Sequence, residues 1–292
     1  AEDPLRPAYV RPSLLPLLFA VAGCHVADDP GFDVLLVSID GTPPALLDEE
    51  WDALSVIPTL GDGGSFQRLR VDGVTDTMAS HARLLTGYGD DETGVTSAFH
   101  FTPIPAGLTL PERLRRRYGP NLAIFWVVNK PHMLGFDSVD QPFWHAGAAC
   151  DVAVNRQMIA DITPDMVDAL RSAGDLPFFA FFHWGGVDQA GHEHGERSPE
   201  QRQALHDVDT QLGLVRDALV ALGRWERTRV YVTTDHGFDP GGDRHYAAAD
   251  EVFLLTNDPA IGPGTWTHQL PWTLLRAYGV EGASPAAPVE PL

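Results

Sequence analysis

Five short stretches of the chain are largely apolar and have the length of a strand rather than of a helix. They are DVLLVSIDG (Asp33 to Gly41), LAIFWVV (Leu122 to Val128), PFFAFFHW (Pro177 to Trp184), RVYVTTDHG (Arg229 to Gly237) and EVFLLTN (Glu251 to Asn257). A strand that is apolar on both faces must be covered on both, which is how a strand of a parallel sheet between two helical layers reads. Between the third and fourth runs lies the clearest helix. Ser198 is placed to cap it, Pro199 takes its first position and Gly223 stops it. Leu205, Val208, Leu212, Val215, Leu219 and Leu222 recur at spacings of three and four, which makes one apolar stripe to lay against a sheet. Strands alternating with helices predict an α/β fold, a three-layer sandwich with a mostly parallel central sheet. Ligands of such a fold gather at the carboxyl ends of its strands.

The 292 residues, 44% of them hydrophobic, suffice for one sizeable domain. It is expected over residues 33–283, after a linker at 25–32 and before a frayed Pro/Ala-rich tail at 284–292. Acidic residues outnumber basic ones 40 to 20, which argues against the broad basic surface that nucleic acid requires. Near the start, RPSLLPLLFAVAGC (Arg11 to Cys24) passes from a basic flank through a short apolar segment into small residues. Such a segment is too short to span a bilayer and suits a signal-peptide core. Its ending, VAGC, resembles the lipobox of bacterial lipoproteins, so residues 1–24 are expected to direct export and Cys24 to carry lipid at the membrane. The alternative is a buried element of the domain, against which Pro16 speaks. Cys150 would then stand alone, without a disulfide framework.

Three of the apolar runs lead into ligand-type side chains. Asp40 follows the first, Asp188 and His192 follow Trp184, and Asp235 and His236 follow RVYVTT. Carboxylates and imidazoles along one sheet edge are the parts of a divalent-metal site. Taken singly, each also reads as an ordinary turn or cap. DTMASHARLLTG (Asp76 to Gly87) is a polar turn entering a short amphipathic helix, where Thr77 is either the cap or the residue that does chemistry.

In order along the chain, VSIDG, TMASHARLLTG, NKPH with a following GFD, VDQAGH, TTDHG and a later histidine resemble the alkaline phosphatase superfamily. The likeness is greatest to its nucleotide pyrophosphatase/phosphodiesterase and sulfatase-like branches, from about Asp33 to Val280. It implies an alkaline-phosphatase-like fold holding two divalent ions, zinc or else manganese. By analogy Asp40, Thr77, Asp235 and His236 surround one ion, and Asp188, His192 and a third histidine the other. His245 is favoured as that third, because members of the superfamily place it several residues before a strand and EVFLL follows. His268 is the alternative, and fits better at the start of a C-terminal helix. Thr77 would be the nucleophile, forming a phosphoryl-enzyme that water releases. A threonine at a helix start can also cap it, where free N–H groups and the helix dipole favour a bound phosphate.

Sulfatases of this superfamily carry a cysteine or serine, converted to formylglycine, at the head of a CxPSR block. Here that head is Thr77, with Ala79 at the proline and His81 at the arginine position. Threonine cannot be converted, which points the chemistry toward phosphorus. Ser80 stands where the phosphodiesterase branch often has asparagine, a donor to the phosphoryl oxygen. NKPHMLG resembles the GKWHLG of sulfatases, which would make Lys130, the only lysine in the chain, and His132 ligands of a non-bridging oxygen. The other reading of Lys130 is a solvated turn residue. His100, His145, His183, His194 and His206 lack a partner pattern and read as surface or core residues, and Arg113 to Arg117 (RLRRR) as a solvated face. The expectation is an exported bacterial envelope lipoprotein that hydrolyses small phosphate esters, monoesters or diesters. A sulfatase-like or phosphonate-ester hydrolase or a phosphoethanolamine-type transferase is one alternative. A non-catalytic envelope-binding protein of the same fold is another.

Overall fold

The computed structural model describes residues 29–280, apart from 159–160 and 247–248. The lipobox segment and the tail at 284–292 lie outside the described residues. In chain order the strands are β1 (Asp33–Ile39), β2 (Ser65–Arg70), β3 (Val95–Ser97), β4 (His100–Phe101), β5 (Ala123–Val128), β6 (Val152–Asn155), β7 (Phe178–Trp184), β8 (Thr228–Thr233) and β9 (Glu251–Thr256). The five apolar runs are β1, β5, β7, β8 and β9. Where a run closes on Asp-Gly or Asp-His-Gly, the strand stops before those residues, which leave the sheet.

Seven strands form one sheet in the order β2-β9-β8-β1-β7-β5-β6. β8, β1, β7, β5 and β6 run parallel, and β9 and β2 are added antiparallel at one edge. Along β1, successive side chains enter opposite layers. Val34 and Leu36 pack with Met78, Leu84 and Leu85 of the Thr77–Thr86 helix, while Leu35, Val37 and Ile39 pack with Leu46, Leu47 and the stripe of the Pro199–Ala221 helix. This is the expected three-layer α/β/α sandwich. Ser198 caps the Pro199–Ala221 helix, its side chain accepting from the Gln201 N–H. Five residues of the stripe are buried, but Leu222 is exposed, because the helix ends at Ala221 and the chain turns away through Gly223 at φ 68°.

The RLRRR run is not a uniformly solvated face. Arg113 is buried, donates to the Tyr88 hydroxyl at 2.7 Å and lies over the Tyr88 and Trp272 rings. Arg115 donates to the carbonyls of Ala149 and Leu122. Only Arg116 and Arg117 are exposed. On the opposite layer a buried carboxylate, Asp209, accepts the backbone N–H groups of Ser55 (2.8 Å), Val56 (3.0 Å) and Ile57 (2.7 Å). It thereby ties the loop after the first helices to the Pro199–Ala221 helix. Asp209→Ala strands these donors, and the expected loss of about 3 kcal/mol is read from the urea midpoint. An unchanged midpoint would contradict this role.

Candidate active site

Parallel register sets the carboxyl ends of β1, β7 and β8 side by side, with Ile39 beside Trp184 and Ser38 beside Thr233. Asp40 leaves β1 there, Asp235 and His236 follow β8, and Asp188 occupies the first turn of the Gly186–His194 helix after β7. All four are buried. Gly41 permits this approach. Its φ is +62°, and a Cβ built on it would lie 2.6 Å from Asp188 Oδ1 and 2.9 Å from the Asp188 Cα. Its N–H donates to Asp235 Oδ1 at 3.1 Å.

The Thr77–Thr86 helix opens at this cluster, and its cap is Asp76 rather than Thr77. Asp76 Oδ1 accepts from the Ala79 N–H and Oδ2 from the Ala98 N–H, each at 2.8 Å. A capping threonine would turn its hydroxyl back to the helix backbone. As the first helical residue, Thr77 instead presents Oγ to the cluster, 2.7 Å from Lys130 Nζ, 3.3 Å from His236 Nε2 and 3.4 Å from Asp40 Oδ1.

Lys130, just beyond β5, is buried and is no solvated turn residue. Its ammonium also donates to Asp40 Oδ2 at 2.9 Å and Asp188 Oδ2 at 2.7 Å. An ammonium has three donors, and here all three serve the chain's own groups rather than a substrate oxygen. Burial opposes its charge, but Asp188, Asp40 and Asp235 outweigh burial and hold its pKa above the ordinary lysine value. Burial and the neighbouring Asp235 would raise the Asp40 carboxyl, yet Lys130 and His183 keep it well below the usual range. Burial likewise works against Asp235, and His236, His81 and Lys130 hold it low. Asp40 and Asp235 thus remain ionised although buried, beside the Lys130 ammonium.

The imidazoles are oriented by backbone carbonyls. Nδ1 of His192 faces the Asp243 oxygen at 2.7 Å, that of His245 the Thr75 oxygen at 2.6 Å, and that of His236 the Gly237 oxygen at 3.0 Å. A carbonyl only accepts, so each Nδ1 carries a proton and, in the neutral ring, Nε2 presents a lone pair. His192 and His245 aim these lone pairs at each other across 3.1 Å. Burial, with His236 adding to it, pushes His245 down to about 4. For His236 burial also lowers the pKa, but Asp235, Asp188 and Asp40 raise it above the usual value; its Nε2 is drawn to a positive charge.

The buried oxygens Asp188 Oδ1 and Asp235 Oδ2 have no hydrogen-bond partner among the described residues. Although Asp188 Oδ1 is 3.4 Å from His192 Nε2, that nitrogen bears no proton in this tautomer. Facing lone pairs and unbonded carboxylate oxygens fit a cation. Asp40, Asp235 and His236 form one group of ligand atoms within 4.8 Å of one another, and Asp188, His236 and His245 another. His236 is common to both, and His192 borders the second.

Of the ten residues singled out in the sequence, eight converge here: Asp40, Thr77, Lys130, Asp188, His192, Asp235, His236 and His245. Ser80 is buried, and its hydroxyl donates to the Val74 carbonyl at 3.3 Å instead of lying free for a phosphoryl oxygen. His132 is exposed in the turn after Lys130. His268 stands at the start of the Gln269–Ala277 helix with its ring on Trp266. Two histidines without a recognised role belong to the site's underside. His183 Nε2 is 2.9 Å from Asp40 Oδ2, and His81 Nδ1 is 2.8 Å from the Thr77 carbonyl oxygen and 3.3 Å from Asp235 Oδ2. The signal for His183 was present: it is the ionisable residue of an otherwise apolar strand.

A layered parallel sheet that gathers carboxylates, imidazoles and a helix-start threonine at its carboxyl edge has the alkaline-phosphatase-like architecture. A 2-O GAG sulfatase superposes with a TM-score of 0.63 at 16% identity, over 89% of this chain and 73% of that one. Murine ectonucleotide pyrophosphatase/phosphodiesterase 5, in an inactive threonine-to-alanine form complexed with AMP, superposes with a TM-score of 0.64 at 12% identity, over 87% of this chain and 96% of that one. The chain belongs to the type I phosphodiesterase / nucleotide pyrophosphatase family, whose sequence profile matches residues 34–280. Human ectonucleotide pyrophosphatase/phosphodiesterase family member 7 is 25% identical over 224 residues, 70% of this chain and 47% of that protein. The chain spans less than half the length of the curated relatives it matches first.

Proposed function

We propose that this chain is a metal-dependent phosphoesterase whose nucleophile is Thr77. The observation that carries the reading is the surroundings of Thr77 Oγ, a buried hydroxyl within 3.4 Å of Lys130, His236 and Asp40 at once. Oγ attacks phosphorus, the new Oγ–P bond replaces the bond to the ester oxygen, and the alcohol departs. Water then cleaves the phosphoryl-threonine and restores the hydroxyl. Lys130, 2.7 Å from Oγ, stabilises the oxygen as it loses its proton. Asp40, Asp235 and His236, and Asp188, His192 and His245, would hold divalent ions, which would supply positive charge to the attacking and leaving oxygens. Zinc suits this mixed carboxylate and imidazole set, with manganese as the alternative.

The inactive threonine-to-alanine form of the murine relative fits a threonine nucleophile, and its AMP suits a small phosphate ester as substrate. A threonine in place of the formylglycine precursor favours phosphate over sulfate esters. Stripping metal with a chelator is expected to take turnover of aryl phosphate esters to background, and Zn2+ to restore it. Aryl phosphonates and sulfates assayed in parallel should be poorer substrates. A protein with well under two metals per chain and no esterase activity would instead be a binding protein of the same fold, and a preference for sulfate would overturn the phosphoesterase reading. Export and lipid attachment through Cys24 complete the proposal; Cys24→Ser should release the protein from envelope membranes, and unchanged membrane association would reject that anchor.

A further inference from the structure

Under the carboxylates lies a pair of fully buried imidazoles, His81 and His183, edge to face with centres 5.1 Å apart. His81 is satisfied at both nitrogens, by the Thr77 carbonyl oxygen and by Ser38 Oγ at 2.9 Å. His183 is not. It interrupts the apolar FFAFFHW of β7, on the same face as Phe179 and Phe181 and opposite Ser38 in register. Its Nε2 is 2.9 Å from Asp40 Oδ2. A carboxylate oxygen accepts, so Nε2 holds the proton, and Nδ1 of the neutral ring is bare, with no partner among the described residues. A half-satisfied imidazole in an apolar strand is costly where a phenylalanine would not be. What it supplies is a fixed donor to Asp40.

We propose that His183 is a positioning residue. Together with Lys130 on the same Asp40 oxygen, it holds the carboxylate so that Oδ1 faces Thr77 Oγ and His236 Nε2, at 3.4 and 3.5 Å. A donor on one carboxylate oxygen fixes the direction of the other, and such outer contacts set how well a ligand holds its metal. This inference rests on the metal-dependent reading of the site.

Metal-free full-length protein titrated with Zn2+ against a chromophoric chelator tests it. His183→Leu should weaken zinc binding about 10- to 100-fold and lower kcat with KM little changed. His183→Gln, whose amide nitrogen reaches the place of Nε2, should recover most of both. If the leucine variant does not fold, glutamine is compared with His183→Asn, whose shorter amide cannot reach Asp40 and should bind zinc as poorly as predicted for leucine. A leucine variant with wild-type zinc affinity, or a glutamine variant no better than leucine or asparagine, overturns the positioning role while leaving the phosphoesterase reading intact. Wild-type protein that binds neither Zn2+ nor Mn2+ overturns both.

Discussion

Thr77→Ala is expected to lower kcat for aryl phosphate esters by at least about a thousandfold, while the metal content of the purified protein stays as in wild type. The two outcomes separate because Thr77 is the hydroxyl of the site, whereas the groups that could hold a metal are Asp40, Asp235 and His236 and Asp188, His236 and His245. Thr77→Ser keeps an oxygen at the first helical position and should retain measurable turnover. The cap is Asp76, so neither change removes the capping bond, and both variants should unfold close to the wild-type midpoint. Near-normal turnover by the alanine variant would mean that another group attacks phosphorus. Metal analysis beside steady-state kinetics decides it.

The second large effect concerns Lys130→Met. The ammonium bridges Asp40, Asp188 and Thr77 from a position 90 residues along the chain from Asp40. Methionine keeps most of the volume and removes the charge, leaving ionised buried carboxylates with less to offset them. Losing one partner of such a buried cluster costs about 3–5 kcal/mol, expected in urea unfolding with a chelator present. Added Zn2+ should recover part of that loss, because the same carboxylates are the proposed ligands of the cation. Turnover should fall about 100-fold even when metal is restored, since the donor to Thr77 Oγ is gone. Wild-type stability without metal would show that the carboxylates do not depend on the ammonium. Wild-type turnover with metal would remove Lys130 from the chemistry.

The antiparallel edge strand β2 (SFQRLR) is apolar only at Phe66 and Leu69, and a search for continuous apolar runs passes over such a strand. Its pairing with β9 is set by a contact between segments far apart in the chain. The cap at Asp76 was missed for a subtler reason. Asp and Thr are both good caps, and only the bond from the Ala79 N–H tells which residue is outside the helix. The Arg113 side chain, one of four arginines in RLRRR, is buried by Tyr88 and Trp272, partners that local spacing does not reveal.

By itself the sequence determined the α/β sandwich, the five apolar strands and the Asp-Gly and Asp-His-Gly endings that follow β1 and β8. Periods of two and 3.6 are local properties, and they are legible wherever burial is regular. Through the motif resemblance it also picked out acidic and imidazole residues that the fold gathers at one edge of the sheet. Tertiary structure alone decided how those residues share their bonds. It put Lys130 among the carboxylates, made His236 common to both ligand groups, turned Ser80 away and set His183 beneath Asp40. Each of these depends on strand order and register, which bring positions 40, 77, 130, 183, 188 and 235 to one edge, and no local pattern records which atoms meet there.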